Sequence, residues 1–449
     1  MVSSLLVLLQ FQTPFIITLT LFIIFHQIQT SDASPQTLLI LPLKVQTHPH
    51  GSVSIPIPSS RKLSFQHNVT LTVSLTVGSP PQSVTMVLDT GSELSWLHCK
   101  KLPNLNSVFN PQLSSSYNPT PCTSPVCKTR TRDFPIPVSC DPKNLCHATV
   151  SYADATSIEG NLATETFFVA GSPQPGTTFG CMDSGFTSNA DEDSKTTGLM
   201  GMNRGSLSFV AQMGLPKFSY CISGSDSSGV LLFGDAKFAW LGPLRYTPMV
   251  KESTPLPYFD RVAYTVRLQG IRVGKKLLQL EKSIFVPDHT GSGQTMVDSG
   301  TQFTFLLGPV YKALREEFVA QTKGVLTLLD DPNFVFQGAM DLCYRVGSNR
   351  KSLPLPPLPA VTLVFEGAEM SVSGERLLYK VGDVAAAKGS EDTVYCFTFG
   401  NSELVGIEAY VIGHHHQQNV WMEFDLVNSR VGFADTRCEL ASQRLGMGS

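Results

Sequence analysis

At 449 residues the chain has room for two or three domains. Gly 35, Pro 30 and only 15% charged residues suit a turn-rich β protein better than a helical one. A net charge of −3 without a basic stripe argues against a nucleic-acid partner.

The chain opens on an apolar block, Phe15 to Phe25, followed by polar residues from Gln27 to Ser34. Residues 1–30 are therefore expected to be a secretory signal peptide. No Lys or Arg precedes Lys44, and Ser4 to Ile28 approach membrane-spanning length, so a retained signal anchor is the competing reading. No other stretch looks transmembrane, and the tail 441–449 carries no retention or lipid signal; no stable membrane association is expected once the leader is gone. Asn68 to Val77 alternates as a β segment and starts with the sequon Asn68-Val-Thr70. Asn68 is a candidate glycosylation site, with an unmodified strand residue as the alternative.

Val84 to Leu88 is a short, largely apolar, β-prone run that ends at Asp89. Gly91 can turn the chain after it, and Thr90 and Ser92 offer hydroxyls able to fix a carboxylate. Trp96 closes this phrase. Ten cysteines follow the leader, an even number suited to disulfides in an oxidising compartment, although spacing alone does not give their pairing. A zinc reading of Cys122-x4-Cys127 has no second paired motif to support it, and no metal site is expected. Pro248, Pro255 and Pro257 mark the segment from Tyr246 to Asp260 as a crossover, after which Tyr264 to Gly274 resumes β alternation. Then comes Thr295-Met-Val-Asp-Ser-Gly-Thr-Gln-Phe-Thr-Phe305, which repeats Met86-Val-Leu-Asp-Thr-Gly-Ser-Glu-Leu-Ser-Trp96 from 209 positions earlier. Ser299, Gly300 and Thr301 stand to Asp298 as Thr90, Gly91 and Ser92 stand to Asp89. Pro309 to Ala320 is the clearest helical stretch. His414, His415 and His416 suggest a metal site, but adjacent residues of an extended strand point to opposite faces. They are read instead as a loop-to-strand surface with a bearing on the pH response of any cleft nearby.

A third tripeptide, Asp183-Ser184-Gly185, lacks the apolar run before it and the hydroxyl residue after it, and is read as a surface turn. The informative feature is the duplicated strand-then-turn unit, which delivers one carboxylate per copy. Two carboxyl groups brought face to face hold a single proton over an acidic range. One member can then activate a water while the other polarises a carbonyl.

From about Asn68 to about Cys438 the chain resembles the pepsin-like aspartic proteases, and within them the plant nepenthesin-like branch. Besides the two Asp phrases, Ser151 to Ala163 is similar to that family's flap hairpin, and Gly198-Leu-Met-Gly201 and Tyr410-Val-Ile-Gly413 to the segments completing each lobe. The resemblance implies an all-β, two-lobed fold with a few short helices and a cleft between lobes at 66–244 and 245–440. Asp89 and Asp298 would be catalytic, Tyr152 would sit over the cleft, and Trp96 would support it. It also implies a propeptide at 31–65, with Lys44, Arg61 and Lys62 facing an acidic cleft. The implied disulfides are Cys99–Cys181, Cys122–Cys146, Cys127–Cys140, Cys221–Cys438 and Cys343–Cys396. The family's flap reads Tyr-Gly-Asp-Gly where this chain has Tyr152-Ala153-Asp154-Ala155, which implies a stiffer or differently turned tip. The expected protein is a monomeric, cofactor-free endopeptidase of the secretory pathway, cutting peptides beside apolar side chains. Its final compartment would be extracellular, vacuolar or the endoplasmic reticulum. A catalytically dead relative that binds a protein or a carbohydrate enzyme is the alternative, disfavoured because neither Asp nor the flap tyrosine is missing.

Overall fold

A computed structural model describes residues 38–48, 68–102, 105–187, 192, 194–224, 228–331, 333–346, 355–385 and 391–447; the leader expected at 1–30 lies outside them. Strands dominate. They begin with β1 (Leu39–Thr47), β2 (Val69–Val77), β3 (Gln82–Asp89) and β4 (Trp96–His98). Among the described residues no helix is long and apolar enough to cross a membrane.

The two phrases fold alike. β3 runs parallel to Gly198–Gly201, which also pairs antiparallel with β4. In the second copy Gln294–Val297 runs parallel to Ala409–Ile412, which in turn meets Thr304–Leu306 through Phe305 and Val411. Each aspartate thus ends, or follows by one residue, a strand covered on both sides, where apolar runs such as Met86-Val-Leu88 are at home. The sequence break at 244/245 does not divide the sheet. Arg245–Pro248, Arg430–Asp435 and Val420–Asp425 continue edge to edge into Lys217–Ile222, Gly229–Phe233 and then β1. Among the described residues, three further four-stranded sheets lie in the second half. The expected helix is present as Gly308–Thr322, with Val310, Leu314 and Phe318 buried.

β1 falls inside the segment expected to be a propeptide, yet it pairs with Gly229–Phe233 on one edge and with β2 on the other. Lys44 is an exposed residue of this strand opposite Thr72, and it does not line the cleft. Asp183-Ser-Gly185 is a correction: it belongs to the strand Ser172–Phe186 and pairs with Ile158 and Glu159 across a bulge. Gly185 takes a φ of 136° there, which accounts for the turn-like composition without a turn.

Two disulfides also differ from those implied by resemblance. Cys122 bonds Cys140 and Cys127 bonds Cys146, instead of Cys122–Cys146 and Cys127–Cys140. Cys127 and Cys146 are both buried under the flap, whereas Cys140 is exposed and Cys122 half-buried, so inner joins inner and outer joins outer. The bonds Cys99–Cys181, Cys221–Cys438 and Cys343–Cys396 are as expected. Asn68 is only 7% exposed, and its N–H donates to Gln302 Oε1 at 2.9 Å. A glycan needs an open amide, so the fold argues against use of this sequon.

Candidate active site

Asp89 and Asp298 lie in one cleft, with Tyr152 of the hairpin above them. Their loops are built by the same bonds. Gly91 N–H donates to Asp89 Oδ1 at 2.8 Å, and Gly300 N–H to Asp298 Oδ1 at 2.8 Å. Ser92 Oγ donates to Asp89 Oδ2, and Thr301 Oγ1 to Asp298 Oδ2 at 2.6 Å. These donors orient both carboxyl groups and stabilise their charged forms.

Thr90 and Ser299 do something else. Thr90 N–H donates to Ser299 Oγ at 3.0 Å and Ser299 N–H to Thr90 Oγ1 at 2.8 Å. Each hydroxyl then donates across the cleft floor, Thr90 to Val297 O and Ser299 to Leu88 O. All four groups are buried and paired, so this net fixes one loop against the other. Glycine is required at both turns for a reason beyond the turn itself. A Cβ on Gly91 would stand 2.9 Å from Asp298 Oδ1, and one on Gly300 would collide with Asp89 Oδ1. Each carboxyl group therefore occupies the space left by the other loop's missing side chain.

Burial raises the pKa of Asp89 first, and the neighbouring charge of Asp298 raises it further, against the lowering effect of Ser92 and Gly91. Burial and mutual repulsion thus favour a pair that holds one proton. Tyr152 OH accepts Trp96 Nε1–H at 2.7 Å, and burial with the charge of Asp89 keeps the phenol protonated. The flap tip closes through Ala155 N–H to Tyr152 O at 3.1 Å, with Ala155 at φ 71°. The alanine thus adopts the left-handed turn that glycine takes at lower cost.

The histidines are another correction. His414 to Gln417 form a turn, with His414 and His416 buried, so they are not surface. His416 contacts Thr304 and Thr398 through its two ring nitrogens, and His415 meets Arg376 O at 3.0 Å. Gln417 was not singled out in the sequence, yet its Nε2 donates to Asp298 O at 3.2 Å and its Oε1 accepts Tyr220 OH. No local motif marks a glutamine for that position.

A two-lobed β fold that draws one carboxylate from each repeat into a single cleft, beneath a tyrosine-bearing hairpin, defines a pepsin-like hydrolase. Models of the Xylanase inhibitor N-terminal and C-terminal families match residues 71–235 and 263–435. Aspartic proteinase PCS1 of Arabidopsis thaliana is 62% identical over 416 residues, which is 92% of this chain and 90% of that protein. Aspartic proteinase nepenthesin-1 of Nepenthes gracilis is 29% identical over 373 residues, covering 82% of this chain and 77% of the relative. The crystal structures of edgp and of Basic 7S globulin from soybean share the fold, with TM-scores of 0.64 and 0.60 at 21% identity. They cover 90% of this chain and 96% and 98% of their own. The chain belongs to the pepsin-like plant aspartic proteases. It is an aspartic-type endopeptidase acting on peptides or proteins.

Proposed function

We propose that Asp89 and Asp298 jointly hydrolyse a peptide bond in an extended polypeptide, under a flap closed by Tyr152. The observation that carries this is the mutual cradle, in which each carboxyl group fills the space beside the other loop's glycine. Asp298 takes a proton from a water as its oxygen bonds to the carbonyl carbon, while the protonated Asp89 donates to the carbonyl oxygen. The tetrahedral diol then collapses: the C–N bond breaks, a proton passes to the departing nitrogen, and a carboxylic acid and an amine leave. Both carboxylates come from one chain, which supports a monomer. Five disulfides among the described residues support an oxidising, secretory route, outside the cell or into the vacuole or endoplasmic reticulum. Val87, Leu94 and Leu199 in the cleft wall support a preference for apolar side chains.

The names of the matching family models raise the reading of an enzyme-binding protein without activity. The complete carboxyl pair and its donors weigh against it. The test is cleavage of a denatured protein at acid pH, beside an Asp298→Asn variant and with a statyl peptide that mimics the diol. The variant is expected to lose about 10²–10⁴-fold or more, and the statyl peptide to block the native chain. Burial and the charge of Asp298 make the pair hold on to one proton, so activity should fall as rising pH strips that proton from the pair. Native-level cleavage by Asp298→Asn would overturn the mechanism.

A further inference from the structure

The insert from Cys122 to Cys146 has no part in the acid–base reading, but the structure ties it to both lobes. Cys127–Cys146 fastens it to the first residue of the flap strand Cys146–Ser151, and Cys122–Cys140 closes it on itself. Ser139–Cys140 adds two residues to the flap sheet, opposite His147 and Cys146. Phe134, Val126 and Val138 share one apolar cluster with Trp96 and Tyr152, so insert and flap support are packed as one body.

The tip of the insert then reaches away from that body. Arg130 donates to Ser206 O, and Ser206 Oγ donates back to Arg130 O at 3.0 Å. Beyond it, Asp133 Oδ1 receives Arg261 Nη2 from the second lobe at 2.6 Å. The receiving loop is itself held: Arg204 donates to Val262 O, Ala263 O and Arg261 O at 2.8, 2.9 and 2.7 Å. Asp133, Phe134 and Ile136 line the same cleft as Asp89 and Asp298, with Asp260 and Val262 across from them.

We propose that this insert is a strap over one end of the cleft, latched by Asp133–Arg261, whose Phe134 and Ile136 form an apolar wall that selects a substrate side chain. The inference rests on the Asp89–Asp298 reading of the cleft. An ion pair that joins the lobes beside the substrate path limits how much chain extends past that end, so a long polypeptide must open the latch. The side chains of Asp133 and Arg261 are 18% and 33% exposed, which makes the pair partly screened and able to open. The neighbouring Arg132, 3.5 Å from Asp133 and 80% exposed, is a loose second partner. The strap therefore selects for length and for one apolar side chain, while the chemistry stays with the dyad.

The test compares a peptide of about six residues, ~20 Å when extended, with versions longer by about ten residues at one end or the other. Asp133→Asn and Arg261→Gln should each raise the long-to-short ratio of kcat/KM about two- to fivefold, for extension at one end only. The charge-reversed pair, Asp133→Arg with Arg261→Asp, should return the ratio toward the native value. Added salt should raise the ratio in the native protein and leave it level in the single variants. Phe134→Ala should weaken the preference for a large apolar residue at one substrate position about tenfold. An unchanged ratio at both ends, or an unchanged Phe134→Ala cleavage profile, overturns the strap. Asp298→Asn runs alongside: activity there overturns the dyad reading and the strap with it, whereas an inactive Asp298→Asn with unchanged ratios overturns the strap alone.

Discussion

Glu93 sits one residue beyond Ser92 and is 8% exposed. Its Oε1 accepts the Leu207 N–H at 2.8 Å, and its carboxyl fills the space that a side chain on Gly205 would need. Burial, helped by the charges of Asp133 and Asp260, pushes its pKa up to about 7. In the unfolded chain it titrates near the ordinary glutamate value, so between roughly pH 4.5 and 7 the native state binds the extra proton. The associated stability is full below that window and is lost as pH rises through it, a difference of about 3 kcal/mol at most. Glu93→Gln mimics the protonated form. Melting temperatures should match the native protein near pH 4 and exceed it at pH 7.5; equal melting at both would remove Glu93 from this role. Other residues at this scale show how much of the site was legible. The carboxylates and the Ser92 and Thr301 donors follow from the repeated phrase. The Thr90–Ser299 cross-bonds do not, because both hydroxyls read as local partners of their own aspartate until the two loops face each other.

The turn at His414–Gln417 hangs beneath Asp298 through Gln417 and is crossed by Arg376, whose guanidinium donates to His416 O and Gln418 O. Burial holds the His415 pKa down to about 4 and that of His416 well below the ordinary histidine value, with the charge of Arg376 acting in the same direction. Here the unfolded chain binds the extra protons. Stability is therefore present above about pH 6.5 and lost as pH falls toward 4. His415 keeps partial exposure, which moderates its share to at most about 3 kcal/mol. Because Gln417 ties this turn to Asp298 O, loosening of the turn at low pH is expected to disturb the site. His415→Gln should flatten the fall in melting temperature between pH 6.5 and 4.5 and extend activity to lower pH. A fall as steep as in the native protein would show that the turn is not responsible. Burial of His414 and His416 and the partial burial of His415 are not readable from a strand-like alternation, since the imidazoles of His415 and His416 rest on Arg376 O and on the Thr304 and Thr398 hydroxyls. The insert disulfides escaped for a similar reason. Cys140 and Cys146 lie opposite each other in the flap sheet, and only the depth of Cys127 decides which of them it meets.

The two halves of the molecule share one sheet, and β1 is a middle member of it. The duplicated phrases made a two-lobed β architecture legible, because strand, turn and second glycine segment recur in step in both halves. They do not reach β1, which has no counterpart in the repeat and lies within the stretch 31–65 expected to be a propeptide. Leu39, Leu41 and Leu43 are 7, 5 and 1% exposed, facing the core from a strand paired on both edges. Burial of three leucines is worth on the order of 5 kcal/mol, comparable with the whole margin by which a protein stays folded. Their loss would also leave Gly229–Phe233 and β2 with open edges, which invite pairing with other chains. A processing cut that discards residues 31–65 as one piece would take this strand out of the sheet, so retention of β1 predicts that the removable part ends before Leu39. Mass and N-terminal sequence of the processed enzyme should place its first residue upstream of Leu39, and a chain deleted for 39–47 should aggregate during refolding. A soluble, active enzyme that starts at or after Asn68 and retains no peptide from β1 would show that the sheet closes without it.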